Sequence, residues 1–173
     1  MGMITDLLDQ AETLARLDPK KPKQANLRRA LSAAYYALFH FLVEEACKQQ
    51  IGVAQNIEPY RHVLARAFVH GTMKSACKSF GGGTLPAVFA NTLGPVVIPR
   101  DVRSIADSFV AAQDRRHLAD YDLQATFTRD AVLADIAGIK RSMDAFGHPP
   151  HTAERALFLV SLMCFKTLTD RPG

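Results

Sequence analysis

Apolar residues recur at helical spacing along nearly the whole chain. Over residues 3–17, Ile4, Leu7, Leu8, Ala11, Leu14 and Ala15 fall at three- and four-residue intervals, with Asp6, Asp9 and Glu12 between them. That period predicts a short amphipathic helix. Asp18-Pro19-Lys20-Lys21-Pro22 ends it, because proline has no amide donor and restricts the residue before it. From Gln24 to about Gln50 there is no Gly or Pro, which predicts a helix of roughly 40 Å at about 1.5 Å per residue. Its middle, from Ala30 to Val43, is apolar almost all round. Such a helix is central and contacted on several sides.

Pro59 opens a third predicted helix that runs to about Phe80. Residues 81–99 carry four Gly and three Pro and read as a long irregular segment, with a short strand near Val96–Ile98. Its Leu85, Val88, Phe89 and Leu93 must be covered, either across the end of the bundle or in a dimer contact. Arg100 to His117 gives a fourth helix, with Val102, Ile105, Ala106, Phe109 and Ala112 on one face. Thr128 and Thr152 read as N-caps of two more helices, separated by Gly147-His148-Pro149-Pro150. The expected fold class is all-α, an up-and-down helical bundle of five or six helices in one domain spanning 1–173.

Composition agrees with one globular domain: 173 residues, 48% apolar and 22% charged, with a net charge of +4. Three cysteines at unrelated spacings argue against a disulfide framework and for a reducing, cytoplasmic setting. No apolar run approaches about 18 residues, so no membrane span is expected. The opening residues lack the basic and apolar regions of a signal peptide. No Gly-rich phosphate loop, Gly-x-Ser-x-Gly elbow or metal-ligand spacing occurs, so neither a metal nor a cofactor is expected.

The second helix carries one polar stripe on its otherwise apolar surface. At about 100° per residue, Arg29, Tyr36 and His40 lie within about 40° of one another, and Ser32 and Glu44 flank them. A buried stripe needs partners, since an unpaired buried polar group costs roughly 1–3 kcal/mol. The fourth helix offers them. Continuing its apolar face by heptad from Val102 and Phe109 reaches Arg116, whereas Arg115 points about 100° away. Asp120 stands four residues beyond Arg116 and pairs with it if the helix persists, and Tyr121 follows. The candidate ligand-binding seam is therefore Arg29, Ser32, Tyr36, His40, Arg116, Asp120 and Tyr121. Structural pairing and contact with a phosphate or carboxylate are both open to its arginines.

Leu27-Arg-Arg-Ala-Leu-Ser-Ala-Ala-Tyr-Tyr-Ala-Leu-Phe-His40 resembles the Arg-x-x-x-Ser-x-Ala-Tyr-Tyr-Ala-x-Phe-His signature of the HEPN superfamily. Arg116-His-Leu-Ala-Asp-Tyr121 resembles the Arg-x-x-Ala-Asp-Tyr end of the fourth helix in its bacterial branch. The resemblance covers about residues 24–145. It implies a four-helix core, a homodimer, and a nucleotidyltransferase partner in a toxin–antitoxin pair. Ribonuclease members of the superfamily place a His after an Arg with four to six residues between them. Here no His stands at those offsets from Arg115 or Arg116. The resemblance therefore implies a non-catalytic module that binds nucleotide, RNA or the nucleotidyltransferase. The alternatives are a metal-independent ribonuclease toxin using His40 or His117, and a homodimeric scaffold whose seam is purely structural.

Overall fold

The computed structural model describes residues 2–53, 56–83, 85–148 and 152–170. Its fold is an all-α helical bundle. The helices are α1 (Met3–Arg16), α2 (Gln24–Ile51), α3 (Glu58–Ala65), α4 (His70–Gly81), α5 (Ala87–Leu93), α6 (Arg100–Tyr121), α7 (Arg129–Gly147) and α8 (Ala153–Thr169). The sequence pattern predicted five or six. Two differences account for the change. The helix expected from Pro59 to Phe80 breaks at Arg66–Val69, where Phe68 turns inward and is buried. The segment 81–99 contains α5, which starts after Pro86 and stops at Gly94, whose φ of +72° suits glycine. No strand occurs among the described residues, so the expected strand at Val96–Ile98 is absent. No helix among them is long and apolar enough to cross a membrane.

The chain forms two compact units, Met1–Phe41 with Ser108–Ala145, and Leu42–Asp107 with Phe146–Gly173. In the first, the middle of α2 is the core element. Ala30, Leu31, Ser32, Ala33, Ala34, Tyr35, Ala37 and Leu38 are all buried, as its all-round apolar character requires. Phe109 of α6 meets Tyr35 at 5.6 Å between ring centroids, and Val132, Ile136 and Ile139 of α7 are buried as well. Arg129 at the start of α7 donates to the carbonyls of Ala15, Asp18 and Pro19, satisfying the C-terminal end of α1. Thr128 caps α7, its Oγ accepting from the Ala131 amide at 3.3 Å.

In the second unit α4 packs on α8, with Phe80 and Phe158 at 5.2 Å. Thr152 caps α8 by accepting from the Arg155 amide. The Arg155 side chain is only 5% exposed. Its Nη2 lies 3.4 Å from Glu45 and its Nη1 3.3 Å from Asp101, while its guanidinium carbon sits 3.6 Å above the Phe146 ring. Glu45 also meets Lys48 at 3.1 Å, and Lys48 meets Glu44 at 2.8 Å. A polar cleft of about 520 Å³ runs beside this network, lined by Glu45, Lys48, Gln49, Gly147 and Arg155 among others.

Removing one member of a buried ion network strands its partners, a loss of about 3–5 kcal/mol when burial is complete. Arg155→Ala is therefore expected to lower stability by roughly 3 kcal/mol in urea unfolding, since Glu45 and Asp101 keep some solvent. Arg155→Met with Asp101→Asn restores part of the loss by keeping the packing and removing one stranded charge. Equal midpoints for Arg155→Ala and the wild type would show that the network adds nothing.

Candidate functional site

α6 continues one turn past the predicted end at His117, to Tyr121. That extra turn brings the site together in the first unit. Arg116 Nε stands 2.6 Å from Asp120 Oδ2, an i,i+4 ion pair in which both side chains are about one-quarter exposed or less. Asp120 Oδ1 accepts a hydrogen bond from Ser32 Oγ of α2 at 2.8 Å. Ser32 is buried, so the hydroxyl on this apolar stretch has its required partner.

Three tyrosine rings surround the Arg116 guanidinium, with centroids 6.0 Å (Tyr35), 5.8 Å (Tyr36) and 5.7 Å (Tyr121) from its central carbon. Rings at such distances attract a cation through their negative faces. Burial opposes the charge of Arg116. Asp120, with smaller contributions from Tyr36, Tyr121 and Tyr35, outweighs that effect and holds its pKa above the ordinary arginine value. Tyr35 is fully buried and Tyr121 is 64% exposed, so the rings around Arg116 range from core to solvent.

Of the seven predicted residues, Ser32, Tyr36, Arg116, Asp120 and Tyr121 meet in this cluster. Arg29 does not. It is exposed and makes no hydrogen bond or ion pair among the described residues. Its neighbour Arg28 takes the inward place. The reason is rotational: at about 100° per residue, Arg28 lies within about 40° of Ser32 and about 20° of Tyr35, while Arg29 lies a further 100° round toward solvent. Arg28 is also the arginine that stands four residues before Ser32, as the Arg-x-x-x-Ser pattern requires, and this was the signal for it.

His40 is half-buried and its ring meets Phe39 edge-on at 5.4 Å; no described contact joins it to Arg116 or Asp120. Glu44, the last member of the predicted stripe, is exposed and pairs with Lys48. Arg115 turns to α7, where its Nε donates to Asp135 Oδ2 at 2.8 Å and its guanidinium lies over Phe127. His117 is exposed and pairs with Tyr121 at 4.7 Å. Among the described residues no three His, Cys, Asp or Glu side chains converge as a metal site. Comparison with family models, with curated proteins and with solved structures gives no match to this chain.

Burial lowers the pKa of His40 from its ordinary value near 6.5. The folded protein therefore binds this proton less readily than the unfolded chain does. The stability contributed by neutral His40 is complete above about pH 6.5 and is lost progressively below it, as pH falls through the lowered folded value. Wild type is expected to lose more stability between pH 7.5 and pH 5 than His40→Gln does. Urea midpoints at the two pH values measure this, and parallel losses would show that His40 does not contribute.

Proposed function

We propose that the chain is a HEPN-like helical module that binds nucleotide or RNA through the Arg116 cluster, without cleaving it. The observation that carries this reading is the state of Arg116. Its Nε faces Asp120, and among the described residues its two Nη groups carry no protein hydrogen bond, although the side chain is only 21% exposed. A guanidinium with donors left over after its ion pair suits a phosphate oxygen. The exposed Tyr121 beside it offers a face on which a base can stack, an interaction worth about 1–3 kcal/mol per base. The same unit exposes Lys20, Lys21, Lys23 and Arg29, which favour a polyanion. On the resemblance, the wider setting of this module is a homodimer with a nucleotidyltransferase partner.

A second reading rests on Asp120. Its two oxygens are engaged by Ser32 and Arg116, so the cluster also closes as a joint between α2 and α6 that needs no ligand. Titration with a single-stranded RNA oligonucleotide and with ATP separates the readings. The binding reading expects Arg116→Ala to weaken binding at least about tenfold, near 1.4 kcal/mol. Identical weak binding by wild type and Arg116→Ala would leave the cluster a structural joint.

A further inference from the structure

α6 ends without the usual means of stopping a helix. Asp122-Leu123-Gln124-Ala125-Thr126-Phe127 follows Tyr121, with no Gly or Pro, and no basic residue stands in the last turn. The final carbonyls of a helix have no partner within it, and their aligned dipoles leave partial negative charge there. In this protein the partner comes from α2. The Arg28 guanidinium donates through Nη1 to Ala119 O at 2.7 Å and Asp122 O at 2.9 Å. Through Nη2 it donates to Ala125 O at 2.5 Å and, more weakly, to Leu123 O at 3.5 Å. It also lies over the Phe127 ring at 5.5 Å.

We infer that Arg28 is the positioning residue of the Arg116 cluster: it holds the last turn of α6 and the 122–125 turn in place, and so fixes where Asp120 and Tyr121 stand. The inference rests on the binding reading only for its consequence; the clamp itself is independent of any ligand. Ala119, whose carbonyl Arg28 takes, immediately precedes Asp120. Local bonds are too few to replace the clamp. Asp122 N reaches Leu118 O at 3.1 Å, and the Asp122 carboxylate accepts from the Gln124 and Ala125 amides at 2.9 and 3.2 Å. These, with Ala125 N reaching Asp122 O at 3.3 Å, shape the turn, but among the described residues Arg28 is the donor given for Ala119 O and Ala125 O. Lysine cannot substitute fully, because a single ammonium lacks the planar fork that reaches both sides of the turn.

The test is amide hydrogen exchange on the full chain, comparing wild type, Arg28→Ala and Arg28→Lys. The expected result is exchange at least tenfold faster at residues 119–125 in Arg28→Ala, with residues 30–38 of α2 unchanged and Arg28→Lys intermediate. If Arg28→Ala does not fold, Arg28→Lys, which keeps the stem and the charge, carries the comparison. Unchanged exchange at 119–125 would overturn the inference, and so would a uniform rise across the unit, which marks simple destabilisation. Titration with the single-stranded RNA oligonucleotide supplies the second readout. Arg28→Ala is expected to weaken its binding at least fivefold, and undiminished binding with a locally loosened turn would also overturn the positioning role. A wild type that does not bind the oligonucleotide would defeat the binding reading alone, and the exchange result would still decide the clamp.

Discussion

The first unit depends on one carboxylate with two partners. Asp120 accepts from the buried Ser32 hydroxyl of α2 and sits against the Arg116 guanidinium one turn back on α6. Each element of this arrangement requires the others. Without Asp120, the buried Ser32 hydroxyl would lose its partner in the apolar middle of α2, and Arg116 would hold its charge among three rings without this counterion. The polar residues that interrupt the apolar helix are thus the means by which α6 finds its register on it.

Guanidinium groups act as multi-point ties within each of the two units. In the first, Arg28 gathers carbonyls from the end of α6 and the turn that follows, and Arg129 does the same for the end of α1. In the second, Arg155 joins carboxylates from α2 and α6 while stacking on Phe146. Several donors in one plane let a single side chain satisfy groups far apart in sequence. Arg116 differs from these three: among the described residues its one polar contact is the ion pair of its Nε with Asp120, and this is why binding is proposed for it and tying for the others.

Much of this was legible in the sequence, and the failures have physical causes. The bounds of α1, α2 and α7 follow from periodicity, proline and the Thr128 cap, because these helices bury a regular face. Heptad counting places Arg116 on the inward face, and the four-residue spacing to Asp120 pairs the two because α6 continues through that turn. Arg29 was misplaced because the stripe was centred on the residues sharing its angle, Tyr36 and His40. Burial is centred instead nearer Tyr35, which moves the inward arginine back by one residue. The break between α3 and α4 carries no Gly or Pro; it is set by burial of Phe68, a tertiary effect that local pattern does not encode. Helix α5 did carry a signal, Pro86 before it and Gly94 after it, but its seven residues are too few to establish a period. The reach of Arg28 across more than ninety residues has no local signature.

The most direct test of the central claim is a double-mutant cycle on the joint itself. Urea unfolding of Ser32→Ala, Asp120→Ala and the double variant gives the coupling between the two side chains. A hydrogen bond from a buried hydroxyl to a carboxylate predicts a coupling of about 1.5 kcal/mol or more. Strictly additive effects would contradict the account, because they would mean that α2 and α6 are registered by apolar packing alone and that the polar cluster is incidental to the fold.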